Sequence, residues 1–136
     1  MVSLFERGLF KLHSGGQSDW RINSEALTWD DLDTIAFWLS DRIGRYGLVV
    51  GIPEGGRRLA ECFRRYSTSG PLLIVDDVLT TGASMEAERA RHSQEVIGAV
   101  WVARGPCPQW VTPMFILDGS QEEEPQMGES NEREAN

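Results

Sequence analysis

The sequence has little lysine, little cysteine and no long apolar run. Lys11 is its single lysine, against twelve arginines, and the acidic residues give a net charge of −8. A chain of this sign lacks the basic surface that nucleic-acid binding requires, so we expect no nucleic-acid partner. Cys62 and Cys107 form no CxxC pair and have no histidine at metal-ligand spacing, which favours two free thiols. We expect no membrane partner, because no apolar run reaches the length of a membrane span.

The ends of the chain differ from its body. Glu6 interrupts the few apolar residues at the N-terminus, which does not resemble a leader, so we expect a cytoplasmic protein. The length of 136 residues fits one domain. Residues 119–136 hold six acidic residues and one arginine, with almost nothing to bury. We therefore predict a globular domain over 1–118 and a disordered acidic tail over 119–136.

The most informative stretch is residues 72–84, which read LLIVDDVLTTGAS. Leu72–Val75 is a short β-forming run of the kind buried on both faces of a parallel sheet, and the acids Asp76 and Asp77 are expected to end that strand. The small residues of Thr80–Ser84 lead into a helical pattern. A loop between a parallel strand and a helix lies where α/β sheets bind ligands, and its N–H groups and hydroxyls suit a phosphate.

The two carboxylates would repel the same phosphate, so they must address another part of the ligand. Ionised carboxylates accept hydrogen bonds from hydroxyl groups, or bind a hard cation. A sugar phosphate, with hydroxyl groups beside its phosphate, satisfies both requirements. The alternative is an ordinary turn before a capped helix, with no ligand at all.

LLIVDDVLTTGAS resembles the phosphoribosyl-pyrophosphate (PRPP) motif of type I phosphoribosyltransferases: an apolar strand, two acids, two variable residues, then T-T/A-G-x-S/T. The resemblance implies that Asp76 and Asp77 are the catalytic pair and hold the ribose hydroxyls. It also implies that the 5-phosphate of PRPP is bound by Thr80, Thr81, Gly82, Ala83 and Ser84. By the same resemblance Mg²⁺ is the cofactor and is bound through PRPP, so no protein metal site is expected.

A second strand-loop-helix unit precedes this motif. Leu48–Ile52 is a predicted buried strand, and a helix is predicted from about Arg58 to Tyr66. The segment between them resembles the family's pyrophosphate loop, which implies pyrophosphate binding by Glu54, Gly55, Gly56 and Arg57. Gly55 stands where orotate enzymes usually carry a lysine. Either Arg57 or Arg58 supplies the missing charge, or these arginines lie on a solvated helix face.

The base-binding side is implied by two further segments. Residues 8–23 are expected to form a β-hairpin flap around a glycine-rich turn. This flap resembles the segment that covers the base in orotate phosphoribosyltransferases, which implies base contacts for His13, Trp20 and Arg21. Arg104 follows a predicted strand and matches an arginine that pairs with the base's carboxylate in those enzymes. The alternatives are a hairpin with a core tryptophan and a surface arginine at a strand end.

The remaining pattern completes the fold. Thr28 is a predicted helix cap, and the apolar face of the helix, with Trp29 and Trp38 included, is expected to pack in the core up to Gly44. Three or four βα units then predict an α/β protein with three layers and a central, mainly parallel sheet, like the type I phosphoribosyltransferase core.

The resemblance implies a phosphoribosyltransferase that moves ribose 5-phosphate from PRPP to a nitrogenous base, with release of pyrophosphate, in nucleotide biosynthesis or salvage. An orotate-like pyrimidine is the first choice of base, and a homodimer is left open. Only nineteen residues separate Gly56 from Asp76, too few for the mobile hood that closes over pyrophosphate in orotate enzymes. A second hypothesis is therefore a non-catalytic regulatory module that binds PRPP or a nucleotide. A purely structural or partner-binding relic is the third.

Overall fold

A four-stranded sheet organises the chain. The computed structural model describes residues 4–11 and 17–117, with the side chains of residues 4, 5 and 22–117, so the predicted tail lies outside the described residues. In chain order the elements are β1 (Phe5–Lys11), β2 (Gln17–Ile22), a 3₁₀ helix (Ser24–Ala26), α1 (Trp29–Ile43), β3 (Val49–Gly51), α2 (Gly55–Arg64), β4 (Leu72–Leu79), α3 (Ala83–Arg89), β5 (Val96–Ala103) and β6 (Val111–Ile116).

The strands of the main sheet follow the order β3-β4-β5-β6, and each neighbouring pair is parallel. β4 lies between β3 and β5, and its residues Leu72–Val75 are buried, as expected for a strand covered on both faces. β6 occupies one edge of the sheet and β3 the other. The predicted α/β class with a parallel sheet is confirmed.

Helices cover both faces of this sheet. Leu73 and Val75 pack with α1 and α2, whereas Leu72 and Ile74 pack on the opposite face with Met85 of α3. This alternation follows from the two-residue period of a strand. The three-layer prediction is therefore confirmed. In the part of the chain that the structure describes, no helix is both long and apolar enough to cross a lipid bilayer.

The helix α1 begins at its predicted cap. Asp31 N–H donates to Thr28 Oγ1 at 3.1 Å, and Thr28 N–H donates to Asp31 Oδ2 at 2.9 Å. Its apolar face is buried as expected through Leu32, Ile35, Ala36 and Leu39. The core prediction is wrong for Trp29, which is 54 % exposed. Its ring lies beside the Arg58 guanidinium instead, with 5.0 Å between the guanidinium carbon and the ring centroid.

The acidic pair does not end β4. The strand continues through Asp76 and Asp77 to Leu79, because β5 is long enough to pair with it as far as Ala103. The predicted boundary is therefore wrong, because the strand extends four residues beyond the predicted run Leu72–Val75. The two acids belong to the rigid strand and not to the loop that follows it.

The helix α2 also begins earlier than predicted. It starts at Gly55 rather than near Arg58, because Gly56 N–H already donates to Ile52 O at 2.9 Å. The segment predicted as a pyrophosphate loop is thus largely the first turn of a helix. Its backbone N–H groups stand at a helix start, where four of them have no carbonyl partner within the helix.

The predicted N-terminal hairpin is confirmed. β1 and β2 pair in an antiparallel two-stranded sheet, and β1 begins at Phe5, earlier than expected. Leu4 and Ile22 pack against the core on the side of α1 and α2. These two contacts fix the end of the hairpin against the core, and the 3₁₀ helix begins two residues after Ile22.

Replacing Tyr46 by phenylalanine is expected to destabilise the core. The buried Tyr46 hydroxyl donates to Phe63 O at 2.6 Å and is hydrogen-bonded to Ser40 Oγ at 2.9 Å. The variant loses both bonds, so the free energy of unfolding should fall by about 1 to 2 kcal/mol. Urea titration followed by circular dichroism measures this. Tyr66→Phe loses one partly buried bond to Asp33 at 3.2 Å, and an equal loss in both variants would contradict the account.

Candidate functional site

The acidic pair lies at the carboxyl end of β4, at the edge of the sheet from which the loop to α3 departs. Asp77 N–H donates to Asp76 Oδ1 at 2.8 Å, and Val78 N–H donates to Asp77 Oδ1 at 2.7 Å. These local bonds orient both carboxyl groups at the strand tip. The tip therefore presents polar groups whose positions are set by the strand backbone.

Asp76 is a perturbed acid. Its pKa is raised to about 8, chiefly by burial and then by the hydrogen bond and charge of the neighbouring Asp77 carboxyl. The Asp77 N–H bond opposes this shift in part. In the free protein at pH 7, Asp76 therefore keeps its proton in most molecules and can donate a hydrogen bond. Both acids were expected to be ionised acceptors, and burial of Asp76 changes that expectation.

The loop after β4 forms a small pocket together with Asp76. Gly82 has a φ of 86°, a left-handed conformation that favours glycine and turns the chain into α3. Ala83 N–H donates to Thr81 Oγ1 at 3.2 Å, which tightens the turn. The pocket has a volume of about 60 Å³ and is lined by Asp76, Val78, Leu79, Thr80, Thr81, Gly82, Ala83, Ser84 and Met85. Its walls of backbone and hydroxyl groups suit a small oxyanion.

The first turn of α2 packs directly against the acidic tip. A Cβ atom on Gly56 would lie 2.5 Å from Val75 O and 3.0 Å from Asp76 Cα. A Cβ atom on Gly55 would overlap the Asp77 carboxylate. Only glycines allow this approach, and it places the segment from Glu54 to Arg57 beside the second acid.

Sequence reasoning missed one residue of the site, Ser24. Its hydroxyl donates to Asp77 Oδ2 at 2.5 Å. The chain just after Ser24 is held to α2 by Arg58, whose Nη2 donates to Leu27 O at 2.8 Å. The hydrogen bond between Ser24 and Asp77 joins residues 53 positions apart, so no local sequence pattern predicts it. The only sequence signal was a polar Asn23-Ser24 pair of the kind found in turns.

Comparison with known proteins gives structural matches only. No family model matches the sequence, and no curated protein sequence matches it. Among solved structures, the chain is similar to an orotate phosphoribosyltransferase of Mycobacterium tuberculosis H37Rv in complex with Fe(III) dicitrate. The TM-score is 0.62 at 18 % identity, over 83 % of this chain and 89 % of that chain. The chain has a type I phosphoribosyltransferase-like fold.

A second orotate phosphoribosyltransferase structure has the same fold. The orotate phosphoribosyltransferase of Francisella tularensis matches with a TM-score of 0.57 at 14 % identity, over 90 % of this chain and 85 % of that chain. The M. tuberculosis protein also matches as its complex with inorganic phosphate, with a TM-score of 0.57. At these identities the likeness establishes the fold, and the function has to be argued from the site.

Within this phosphoribosyltransferase-like fold, the structure brings most of the predicted residues together. Asp76 shares a pocket with Thr80–Ser84, and Gly55 contacts Asp77. Arg104 follows β5, and its N–H donates to Leu79 O at 2.8 Å, so it lies beside the end of the acidic strand. Partial burial lowers the pKa of the Arg104 guanidinium.

The predicted base contacts of the flap cannot be followed to side-chain atoms. His13 lies outside the described residues. Trp20 and Arg21 belong to β2, but their side chains lie outside the described part of the chain. Their roles, and the pairing of Arg104 with a base, stay predictions.

The connection from α2 to β4 is short. Residues 65–71 contain no strand and no helix, so β3 remains an edge of the sheet. On that edge Arg64 Nη2 donates to Val49 O at 3.0 Å. The predicted lack of a hood between these two elements is confirmed.

Asp76→Asn is expected to remove a pH dependence of stability. The pKa of Asp76 is about 8 in the folded protein and about 3.9 in an unfolded chain. Its stabilising contribution is therefore complete below about pH 4 and is lost as the pH rises through about 8. Between about pH 5 and pH 9 the free energy of unfolding should fall by on the order of 3 kcal/mol more in the wild type than in the variant.

Urea unfolding at several pH values measures this difference. Asp41→Asn removes a carboxyl group from the exposed side of α1, so it should keep the pH dependence of the wild type. If the free energy of unfolding changed with pH in the same way for the wild type and Asp76→Asn, the pKa of Asp76 would not be raised. That result would contradict a proton held on Asp76 at pH 7.

Proposed function

We propose that this protein binds PRPP at the tip of β4 and transfers its ribose 5-phosphate unit to a nitrogenous base. The observation that carries the proposal is the single pocket that Asp76 shares with the Thr80–Ser84 loop. It combines a carboxyl group with a turn of small, hydroxyl-bearing residues. A sugar phosphate, with hydroxyl groups beside its phosphate, needs both kinds of group in one site.

The proposed roles follow from the geometry. The loop of Thr80, Thr81, Gly82, Ala83 and Ser84 binds the 5-phosphate, so a remote part of the substrate orients the anomeric carbon. Asp76 and Asp77 bind the ribose hydroxyls. Positive charge develops on the sugar ring as the bond to pyrophosphate breaks. The Asp77 carboxylate, fixed by the strand backbone, would stabilise that charge without reorganising, and Asp76 would contribute in its deprotonated form.

Pyrophosphate is proposed to lie at the start of α2. The backbone of Gly55 and Gly56 packs against the acidic tip, so a leaving group bound at the start of α2 would lie beside Asp77. Arg57 is exposed, and its side chain has no hydrogen bond or ion pair within the described residues. It therefore fits the role of the absent lysine better than Arg58, which is held by Leu27 O.

Magnesium would enter as part of the substrate complex. Among the described residues no three His, Cys, Asp or Glu side chains are grouped to hold a metal ion. The proposed Mg²⁺ would be held by the oxygens of PRPP instead. When bound there, Mg²⁺ neutralises charge on the departing pyrophosphate.

The base is proposed to bind between the hairpin flap and the end of β5. Arg104, which follows β5, would pair there with a carboxylate, which makes an orotate-like pyrimidine the first choice. His13, Trp20 and Arg21 of the flap would cover the base. The orotate enzymes among the structural neighbours support this choice through their fold alone.

A second candidate is a regulatory module that binds PRPP without turnover. The short connection over residues 65–71 favours it, because no segment there can close over pyrophosphate. Transfer of this kind depends on charge stabilisation in a closed, dry site. Gly55, in place of a lysine, favours it as well.

One pair of assays separates the two functions. Calorimetry measures Mg²⁺-dependent PRPP binding by the wild type and by Asp77→Asn, with Asp41→Asn as the exposed control. Pyrophosphate release is then measured with orotate, uracil and hypoxanthine. Transfer to one of these bases supports the enzyme, and tight binding without release supports the module. Absence of PRPP binding to the wild type contradicts both.

Gly82→Val is expected to abolish PRPP binding. No atom lies within 4 Å of a Cβ at Gly82, so the effect comes from its φ of 86°, which valine resists, and from the resulting change in the loop. Gly44→Val is a matched control, because Gly44 has a φ of 83° and equally open surroundings, far from the pocket. Both variants should lose similar stability in urea titration. Normal PRPP affinity in Gly82→Val would place the phosphate elsewhere.

A further inference from the structure

The second acid is partly covered in this structure. The phosphate pocket is lined by Asp76 but not by Asp77. Gly55 packs against the Asp77 carboxylate on one side, so closely that a Cβ atom would overlap it. Ser24 covers another side through its hydroxyl. A sugar ring entering from the phosphate loop would therefore meet an Asp77 that is already covered.

Both oxygens of Asp77 already accept hydrogen bonds. Val78 N–H donates to Oδ1 at 2.7 Å, and the Ser24 hydroxyl donates to Oδ2 at 2.5 Å. The second of these is a hydroxyl-to-carboxylate bond, the same bond that a ribose hydroxyl would form. Because Val78 belongs to the strand itself, only the Ser24 bond can be exchanged without disrupting β4.

We infer that Ser24 occupies the place of a sugar hydroxyl, and that the segment 23–27 is a latch which PRPP must displace from Asp77. The inference rests on the proposed function, since it names the regulation of the same site. The latch keeps Asp77 covered in the free protein. Its release couples filling of the sugar site to movement of the chain that links the hairpin flap to α1.

The latch segment is small and depends on contacts outside itself. Internally, Asn23 Oδ1 accepts a bond from Glu25 N–H at 3.1 Å, and Leu27 N–H donates to Ser24 O at 3.0 Å. Externally, it is held by the Ser24 bond to Asp77, by the Arg58 bond to Leu27 O and by the Asn23 N–H bond to Leu4 O at 2.6 Å. A 3₁₀ helix of three residues is not stable alone in water. Loss of the Asp77 contact should therefore loosen the 3₁₀ turn between the bonds at Asn23 and Leu27.

Ser24→Ala tests the latch by calorimetry with PRPP and Mg²⁺. The variant should bind PRPP about tenfold more tightly than the wild type, because no charge-assisted hydrogen bond has to be displaced. Inorganic phosphate, which needs only the loop, should bind the variant and the wild type equally. Ser24→Thr, which keeps the hydroxyl, and Ser93→Ala, the same change on the exposed surface, should both bind PRPP like the wild type.

The outcomes separate the latch from the proposed function. PRPP binding by the wild type with equal or weaker binding by Ser24→Ala overturns the latch and leaves the function standing. Failure of the wild type and the variant alike to bind PRPP removes the proposed function, and the latch with it. Tighter binding of inorganic phosphate as well as PRPP by Ser24→Ala also overturns the latch, because the gain would not come from the sugar.

Hydrogen exchange on the wild type gives an independent readout that needs no variant. On addition of PRPP with Mg²⁺, the amides of Ala26 and Leu27 should exchange faster, because the released segment loses its hydrogen bonds. The amides of Thr80–Ser84 should exchange more slowly. Stronger protection of Ala26 and Leu27 on PRPP binding would overturn the latch, since Ser24 would then close on the ligand.

Discussion

The close approach of α2 to the tip of β4 is the constraint on which the site depends. Gly56 lies against the Val75 carbonyl and Gly55 against the Asp77 carboxylate, at distances that exclude any side chain. This contact sets two loops and two acids at one edge of the sheet. It also removes water from Asp76, and that burial is the largest cause of its pKa of about 8. The same contact between α2 and β4 thus sets the positions of the site residues and raises the pKa of Asp76.

Local patterns in the sequence were sufficient for the fold and for the loop of small residues that follows β4. The apolar run Leu72–Val75 and the cap at Thr28 were visible because their causes, burial and hydrogen bonding, act over a few residues. The extent of β4 was not visible, because pairing with β5 carries the strand past its acids. The Ser24 contact and the proton on Asp76 were hidden for the same reason, since both depend on residues distant in sequence.

The structure also changes the role of the arginines in a chain with one lysine. Arg58 was one of two predicted sources of positive charge for pyrophosphate, but it bonds to the carbonyl group of Leu27. Arg64 bonds to the carbonyl group of Val49. Arg57 is left to provide positive charge at the start of α2. The phosphoribosyltransferase-like fold is therefore present with little positive charge at the start of α2, where we propose that the leaving group binds. This is the physical reason why turnover is a separate question from PRPP binding.

The most direct measurement is a crystal structure of the protein with ribose 5-phosphate. We expect the phosphate within hydrogen-bonding distance of the Thr80–Ser84 backbone, with the ring hydroxyls at Asp76 and Asp77 and the Ser24 hydroxyl moved away. A sugar phosphate bound elsewhere, with this loop empty and Ser24 still on Asp77, would contradict the proposed site.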